Sequence, residues 1–429
     1  MKSRLHLLIF FGMVAGALVG LWISRIENPS GYIEIFDLFG KTIFIGALKM
    51  IVAPLIFFSL LSAITSLRDT GELWRIGWKT LVFYITTTSI AVALGLCCVL
   101  IIKPGNTPNR QEIRSHWQQR QEQIVAKYGT TEEQIKQAEK QTVLTIVKNN
   151  FEGIITNPFR ALAESKSLGI IFFAILLGIA LIVVAPTGNA VIPVIHGLNS
   201  AIMKITGWIM IGSPFFIFCL VASLVGSLGA GIFESLFWYI ITVLLGIAIH
   251  ICVLLGIVRF MGKIPLWRFL RGIQQPWMIA FATRSSAATL PVTIDRVQTE
   301  LKVSPKAAEF VLPLGATMNM DGTALYEGVA VIFLIQLFGG MPGVNITLSP
   351  VITVLIFLTA VLASIGAAAV PNAGLITMVL VANAVGLSIE YIPMIFAVDA
   401  FIDMFRTSTN VMGDCVGAVV INRLEKLSC

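Results

Sequence analysis

Long apolar runs, separated by short polar joints, cover most of the chain. A helix needs roughly 20 mostly apolar residues to cross the hydrocarbon core of a bilayer. Runs near that length occupy 7–23, 43–61, 81–102, 170–184, 205–228, 236–258, 311–337, 351–380 and 392–421. Several runs in the second half are too long or too interrupted to be simple spans, and polar residues cluster at the interruptions. The pattern predicts an all-α membrane protein with broken helices toward its C-terminal end.

The composition indicates that lipid is the solvent for much of the surface. Hydrophobic residues make up 56% of the 429 residues and charged residues only 12%, whereas a soluble domain carries about 25% charged residues. The first apolar run follows Lys2 and Arg4 and exceeds the roughly 7–15 apolar residues of a signal peptide. We therefore expect a retained first helix rather than a cleaved signal.

Lys and Arg near the ends of the runs predict orientation, because cytoplasmic loops are enriched in them. The residues in question are Lys2, Arg4, Arg68, Arg75, Lys79, Arg259, Lys263, Arg268, Arg271, Arg423 and Lys426. They place both termini in the cytoplasm. Counting the spans from the cytoplasmic N-terminus places the segment 104–150 on the extracellular side, although it contains Lys and Arg as well as Glu. The net charge of +7 suits cytoplasmic loops and does not indicate a nucleic-acid partner.

The final apolar run carries a single polar stripe. Charges at membrane depth are costly and usually mark function. At about 100° per residue of helix, the strongly polar side chains of this run fall on an arc of roughly 100°. They are Asp399, Asp403, Arg406, Thr407, Asn410 and Asp414. One Arg among carboxylates suits an anionic ligand bound beside cations; charges paired only for packing are the alternative.

Two runs of small residues, each containing a proline, interrupt the apolar pattern at 283–291 and 364–374. Irregular backbone at membrane depth is tolerated only where it is buried or lines a cavity. The prolines of the two segments precede Asp321 and Asp403 by 30 and 32 residues. Unless this spacing is chance, such paired segments predict two re-entrant hairpins beside the substrate site of a secondary transporter.

A polar sequence in the middle of a predicted span, at 317–323, contains Asn, Asp, Gly and two Thr residues. Gly, Asn and Asp favour local unwinding, which frees backbone carbonyls. Carbonyl, carboxylate and hydroxyl oxygens together suit Na⁺ or another hard cation, and Thr87 and Thr88 could add hydroxyls. The six cysteines show no metal-ligand spacing, and the four histidines are scattered.

These motifs closely resemble the glutamate/aspartate transporter family, the dicarboxylate/amino-acid:cation symporters. The sequences are NMDGTALYEG at 319–328, TRSSAATLPVT at 283–293, DMFRTSTNVMGD at 403–414 and TNPF at 156–159. The resemblance covers nearly the whole chain. It implies a homotrimer in the lipid bilayer, with eight transmembrane helices and two re-entrant helical hairpins in each protomer, arranged as inverted repeats.

The resemblance also implies a division into parts. Residues 1–72 and 151–232 would form a scaffold, and residues 73–103 and 233–429 would form a mobile transport domain. The segment 104–150 would be an extracellular insert. The protein would be a multi-pass protein of the plasma membrane, of the bacterial inner-membrane type.

The implied substrate is an acidic amino acid. The implied substrate-binding residues are Arg406, Asp403, Thr407, Asn410, Thr323, Ser286, Val370 and Gly374. Arg406 would pair with the side-chain carboxylate and Asp403 with the amino group. The bottom-up chemistry agrees, because the planar guanidinium fork suits a carboxylate and only a substrate with an ammonium group needs Asp403.

Sodium is the implied coupling ion. The implied ligands are Asp414, Asn319, Asp321, Thr87, Thr88, Tyr84, Thr317, Ser364, Ile365, Ala367 and Asn410. Asp414 would bind one ion. The cluster around Asp321 would bind a second, and Thr317 with the backbone at 364–367 would bind a third under the tip of the second hairpin.

Two positions distinguish subgroups of the family. Arg284 in the first hairpin, with Met404 after Asp403, is similar to the microbial members. Glu327 instead matches the proton-carrying glutamate of the animal members. We hypothesise proton movement through Glu327 in addition to sodium; a glutamate held neutral by burial, with no transport role, is the alternative.

Other functions stay open at this point. A proton-only symporter for glutamate or C4-dicarboxylates, an intramembrane hydrolase and an anion channel are the rivals. The hydrolase is disfavoured because no His accompanies Ser285 or Ser286 in the sequence, so we expect no enzyme. Aspartate and glutamate differ by one methylene, and the sequence does not rank them.

Overall fold

The computed structural model is built from α-helices. It describes residues 5–26, 29–65, 71–118, 155–163, 167–184, 190–228, 232–341, 344, 346–365 and 373–425. Helices and turns make up these described residues, and no β-strand occurs among them. The all-α prediction is therefore confirmed.

The first half of the chain forms eight labelled helices. They are α1 (Leu5–Ile23), α2 (Ser30–Asp37), α3 (Gly46–Thr65), α4 (Gly71–Ile102), α5 (Pro158–Ala163), α6 (Ser167–Val184), α7 (Val191–Ile211) and α8 (Ser213–Leu228). A π-helical segment, Leu38–Ile45, joins α2 to α3. A further helical segment at 110–118 follows α4.

The second half forms the remaining labelled helices. They are α9 (Ile232–Ile257), α10 (Leu266–Thr283), α11 (Ser286–Thr299), α12 (Pro305–Met318), α13 (Asp321–Phe338), α14 (Pro350–Ile365), α15 (Ala373–Ala384) and α16 (Pro393–Leu424). The pair α10 and α11 packs together across a two-residue joint, and α14 packs on α15. These pairs occupy the two places where hairpins were predicted.

By length and composition, three helices of the described chain could cross a membrane: Arg75–Ile102, Ile232–Gly262 and Pro305–Phe338. The pair α7 and α8 adds a fourth span if its two helices, bent by 56°, are counted as one. Val14–Ile23, Phe172–Val184 and Pro350–Ile365 are shorter apolar helices. The count of eight spans stays a prediction.

A break inside the predicted run 205–228 produces this bend. The run becomes the end of α7 and all of α8, with Gly212 between them. Pro214 lies at the start of α8, where its missing N–H is tolerated but where it cannot continue the preceding helix. The apolar pattern alone could not show this, because both helices are apolar.

A stripe of glycines brings α1 and α8 into close contact. A Cβ atom added to Gly12 or to Gly16 would lie 2.6 Å from the carbonyl oxygen of Pro214 or Phe218, respectively. Gly20 meets the Val225 side chain at the same distance. Small residues spaced four apart let helix backbones approach closely where the surroundings are lipid.

The helices pack in two groups. In one group α1 packs on α8, and α3 packs on α6 and α7. In the other, α4 packs on α9 and α13, and α14 and α15 pack on α13. Helix α16 contacts α9, α10, α11, α12 and α13, and it also contacts α8 of the first group. The core of the second group positions the polar stripe, since α16 lies at its centre.

Candidate functional site

The polar stripe of α16 is buried, as predicted. Its charged residues Asp399, Asp403, Arg406 and Asp414 are at most 3% exposed. Thr407 and Asn410 are buried as well. A stripe of this kind faces protein rather than lipid or water.

Arg406 is the centre of one half of the site. Its Nε donates to Asp403 Oδ1 at 2.7 Å, and its Nη1 lies 3.1 Å from Asp399 Oδ1. The guanidinium carbon lies 4.4 Å from the ring centroid of Tyr326. Neither Nη1 nor Nη2 has a hydrogen-bond partner of good geometry among the described residues. Buried donors of this kind require an explanation, and a bound carboxylate would provide one.

Sequence reasoning left three neighbours of this site without a role. Asp399 lies in the stripe and pairs with Arg406, and Tyr326 covers one face of the guanidinium. Arg284 reaches from the joint between α10 and α11, with Nη1 3.9 Å from Asp403 Oδ2. Arg284 has φ of 54°, in the left-handed region. The turn between α10 and α11 therefore directs the Arg284 side chain toward the polar stripe.

Backbone from two other elements closes on Arg406. A Cβ atom at Gly374, in α15, would clash with Arg406 Nη1. A Cβ atom at Gly322 would lie 2.5 Å from the Arg406 carbonyl oxygen. Glycine allows both close approaches, and at Gly322 the neighbour is backbone that cannot move aside as a side chain can. Ser286 is buried at the start of α11, and Val370 lies outside the described residues.

Asn410 joins this half of the site to the other half. Its Oδ1 accepts from the Gly322 N–H at 2.8 Å, and its Nδ2 donates to Thr323 Oγ1 at 3.2 Å. Its backbone carbonyl accepts from Asn319 Nδ2 at 3.1 Å. Asn410 therefore contacts Thr323 on the predicted substrate side and Asn319 on the predicted ion side.

The second half of the site begins where α12 breaks from α13. Asn319 and Met320 have non-helical dihedral angles, which confirms the unwinding predicted there. Asp321, the first residue of α13, accepts from Thr88 Oγ1 at 2.6 Å and from Thr87 Oγ1 at 3.3 Å. The helix break thus places a carboxylate among hydroxyls of α4.

Asp414 lies beside the same break. Its Oδ1 accepts from Asn319 Nδ2 at 2.9 Å, and Asn319 Oδ1 has no partner among the described residues. Gly315 leaves the space between Asp414 and Tyr84, since an added Cβ would lie 2.6 Å from both Asp414 Oδ1 and Tyr84 Oη. The carbonyl of Tyr84 accepts from Thr87 at 3.1 Å.

These ligand types fit a hard monovalent cation. The donors are carboxylate, hydroxyl, amide and carbonyl oxygens, which hard cations prefer. Within the described part of the chain, no group of three or more His, Cys, Asp or Glu side chains could hold a metal ion. The orphaned Asn319 oxygen and the two buried carboxylates provide oxygen ligands suited to Na⁺.

His250 is a site residue that the sequence analysis missed. It is fully buried on α9, and its Nε2 lies 2.9 Å from Asp321 Oδ2. An ionised carboxylate only accepts hydrogen bonds, so Nε2 is the donor. A signal was present: Tyr239, Thr242, Gly246 and His250 recur at helical spacing and are all buried, and an ionisable residue at membrane depth usually has a function.

The third predicted ion site is described only in part. Thr317 donates to the Leu314 carbonyl at 2.9 Å, and Ser364 donates to the Val361 carbonyl at 2.8 Å. Ile365 packs against Leu314 and Met318, so the ends of α12 and α14 meet. Ala367 lies outside the described residues.

Glu327 lies one turn and a half along α13 from Asp321 and is fully buried. It accepts a hydrogen bond from Thr377 of α15. Its Oε2 has no partner within the part of the chain that is described. Glu327 therefore connects the helix that carries the ion site to the second hairpin pair.

Comparison with known proteins gives one consistent result. The family model of the sodium:dicarboxylate symporter family matches residues 5–424. An excitatory amino acid transporter of Caenorhabditis elegans is 36% identical, across 99% of this chain and 88% of that relative. Excitatory amino acid transporter 3 of Homo sapiens is 34% identical, across 96% of this chain and 84% of that relative.

Proposed function

Because the chain belongs to the sodium:dicarboxylate symporter family, we propose that it takes up aspartate or glutamate together with Na⁺. Its relatives are named as transporters, and the chain is a transporter rather than an enzyme. The names of the relatives support an acidic amino acid as substrate. The geometry around Arg406 supports the same choice independently.

The observation that carries the proposal is the outer end of the Arg406 guanidinium, where Nη1 is ion-paired with Asp399 at 3.1 Å and Nη2 has no partner among the described residues. Nε is held by Asp403, and Nη1 and Nη2 make no hydrogen bond of good geometry among the described residues. Two parallel N–H donors suit a carboxylate, which binds them as a bidentate pair. The substrate side-chain carboxylate would bind there, with Thr323 beside it.

Asp403 would hold the substrate ammonium group. It lies on the same helix face as Arg406, and Arg284 approaches it from the hairpin joint. Asp403 already contacts Arg406 Nε; an ammonium group would add a second favourable partner, whereas a dicarboxylate without one would place only negative charge beside this carboxylate. Thr407, Asn410 and Ser286 would hold the α-carboxylate, and the tip from Val370 to Gly374 would close over it.

Sodium would bind on the oxygen-rich side. Asp414 and Asn410 supply one set of oxygens. A second set comes from Asp321, Asn319, Thr87 and Thr88, with the Tyr84 carbonyl. Thr317 with the backbone of Ser364, Ile365 and Ala367 is the third set. The burial of the two carboxylates supports this assignment, since a cation would balance their charge.

Coupling between ion and substrate would pass through Asn410. The residue donates to Thr323 beside Arg406 and accepts from Asn319 beside Asp414. An ion that orders Asn319 would order Asn410 as well, and with it Thr323. Binding of either ligand would then favour the arrangement that the other requires, which is a reciprocal coupling.

A proton would accompany the ions through Glu327. The buried carboxyl contacts only one hydroxyl donor among the described hydrogen bonds, that of Thr377. Loss and gain of a proton there would change the contact between α13 and the second hairpin pair.

The mechanism would be an elevator-type movement. The helices α4 and α9–α16 form the second packing group, and this grouping supports the transport domain of residues 73–103 and 233–429. The scaffold of residues 1–72 and 151–232 would hold the trimer in the plasma membrane, with 104–150 outside and both termini inside.

Uptake of radiolabelled substrates into proteoliposomes tests the proposal. We expect Na⁺-driven accumulation of aspartate or glutamate, little succinate and little neutral amino acid. Arg406→Cys should weaken the acidic substrates by about a hundredfold, the loss of two charge-assisted hydrogen bonds. Arg271→Cys, which removes an exposed arginine, is the control.

Three outcomes would contradict the proposal. Accumulation that follows a proton gradient and ignores sodium would indicate a proton-only symporter. Passive anion current without accumulation would indicate a channel. Equal loss of acidic and neutral substrates in Arg406→Cys would remove Arg406 as the selectivity residue.

A further inference from the structure

A basic cavity shares no residue with the candidate site and lies at the end of the second packing group that our orientation places in the cytoplasm. Its volume is 840 Å³. Three segments form it: the π-helical segment Val258–Gly262 after α9 with the turn that follows, the connection between α11 and α12, and the end of α16. Its polar lining residues are Lys263, Lys302, Asn422 and Arg423.

The lining contains three cations and, among the described residues, no carboxylate. Neither Lys263 nor Arg423 has an anionic partner within the described part of the chain; Arg423 Nη1 donates to the Met261 carbonyl at 3.0 Å. The nearby basic residues Arg75 and Lys79, by contrast, both have an anionic partner, Glu425. Lys263 and Arg423 therefore give the cavity an excess of positive charge that a bound anion would balance.

The backbone of the two lysines is unusual. Lys263 has φ of 52° and Lys302 has φ of 57°. A side chain other than glycine is disfavoured in this left-handed region, and such strain tends to occur at functional positions. Both strained turns place a lysine in the same cavity. This indicates that the positive charges of the two lysines have a function there.

Exposed apolar side chains surround the cavity. Phe260 is 79% exposed, Met261 47% and Leu424 53%. Trp267, at 75% exposed, follows the same turn, and Trp is enriched at the level of the lipid headgroups. A ligand at this place would meet cations at one end and lipid-facing hydrocarbon at the other.

We propose that this cavity binds the phosphate headgroup of an anionic phospholipid of the cytoplasmic leaflet. Lys263, Lys302 and Arg423 would bind the phosphate oxygens. Asn422 would add a donor, because its Oδ1 already accepts from the N–H and the hydroxyl of Ser304 at 3.0 and 2.8 Å, which leaves its Nδ2. The acyl chains would lie along Phe260. Basic pockets on the cytoplasmic side of membrane helices bind such headgroups.

Native mass spectrometry of the full chain, titrated with phosphatidylglycerol or phosphatidylcholine, tests the proposal. We expect preferential retention of phosphatidylglycerol. Each cation near an anionic lipid surface raises the affinity for the lipid about fivefold. The triple variant K263Q/K302Q/R423Q should therefore bind phosphatidylglycerol about a hundredfold more weakly. K263R/K302R/R423K keeps the charge and should keep the lipid, which separates lost charge from lost folding.

A matched triple variant, R259Q/R271Q/K306Q, removes three exposed cations of the same end that do not line the cavity. It should retain the lipid; equal loss in both triple variants would mean general surface attraction and would overturn the site. Millimolar inorganic phosphate should not displace the lipid. Complete displacement by phosphate would show a site for small anions instead. The readout is lipid mass, so it does not depend on transport.

Discussion

At the scale of single residues, His250 is the neighbour that fixes the carboxylate of Asp321. The two side chains are fully buried and form one hydrogen bond, while Thr87 and Thr88 bind the other oxygen of the carboxylate. The carboxylate is therefore oriented from two helices, α4 and α9. A ligand that is held in this way loses little freedom when a cation binds.

We expect His250→Ala to weaken Na⁺ binding by about tenfold, because a hydrogen bond to a charged group contributes about 1.5–3 kcal/mol. The measurement is the Na⁺ concentration that half-maximally raises the melting temperature without substrate. His250→Gln, which keeps a donor, should bind Na⁺ more tightly than His250→Ala. His116→Ala, at a half-buried position after α4, should match the wild type; an unchanged Na⁺ response in His250→Ala would exclude the positioning role.

Glu327 makes a separate prediction. In Glu327→Gln the side chain keeps its shape and its contact with Thr377 but cannot exchange a proton. We expect uptake that no longer responds to a pH gradient while it still responds to a Na⁺ gradient. Glu309→Gln, at an exposed glutamate of α12, is the control and should behave as the wild type. If Glu327→Gln keeps the full pH response, proton movement does not pass through this residue.

The residue scale also shows what the sequence could predict. Helical spacing placed Asp399, Asp403 and Arg406 on one arc, and the structure buries that arc. Helical spacing could not show that His250 binds Asp321, because this contact depends on how α9 packs against α13. Contacts inside one helix follow from the sequence, whereas contacts between helices follow from packing.

At the scale of elements, the end of α16 is tied to the start of α4. Glu425 accepts from Arg75 Nη2 and from Lys79 Nζ, both at 2.5 Å, and its side chain is only 1% exposed. The hydrogen bond from Lys79, aided by Arg75, lowers the pKa of the Glu425 carboxyl below its usual value. The two helices that carry Thr88 and Asp414 are therefore linked at these ends as well.

The lowered pKa gives a pH dependence with a definite sign. The contribution of Glu425 to stability is present above the ordinary glutamate pKa of about 4.3 and disappears as the pH falls through the lower folded-state value. We expect Glu425→Gln to lower the melting temperature at neutral pH and to equal the wild type in strong acid. Glu300→Gln breaks the exposed pair with Arg296 and should change little at any pH. A constant difference between Glu425→Gln and wild type at all pH values would contradict this.

Element boundaries followed the sequence where a polar or special residue marks them. The break at Asn319 and Met320 lies inside the predicted unwound sequence, and the joint at Arg284 lies inside the first predicted hairpin. The bend at Gly212 was not predicted, because apolar residues continue on both sides of it. The length of an apolar run predicts the length of a membrane segment, but it does not show whether that segment is straight or bent.

At the scale of the whole molecule, the two packing groups meet through apolar contacts. Phe44 of the first group lies 6.0 Å, between ring centroids, from Phe396 of α16. Contacts of this kind carry no hydrogen bonds that would have to be exchanged if the groups slid past each other. The packing is therefore compatible with the proposed elevator-type movement.

A cysteine pair tests that movement. In a background without the six native cysteines, Phe44→Cys with Phe396→Cys should be joined by a short bifunctional maleimide and should then bind substrate without transporting it. The control pair, Phe338→Cys with Tyr391→Cys, replaces rings 4.5 Å apart within the second group and should transport after cross-linking. Full transport by the cross-linked Phe44–Phe396 pair would exclude relative movement at this contact.

The dual bonding of Asn410 restricts how such a protein can be altered. The same residue bonds to Thr323 on the proposed substrate side and to Asn319 on the proposed cation side. A redesign for another substrate that changes Asn410 would therefore change the driving ion in the same step. Asp399 and Tyr326 contact Arg406 on its other side, and within the described part of the chain neither forms a hydrogen bond with Asn319, Asp321 or Asp414. Substitutions at Asp399 or Tyr326 should therefore change substrate selectivity while the coupling to the ion is kept.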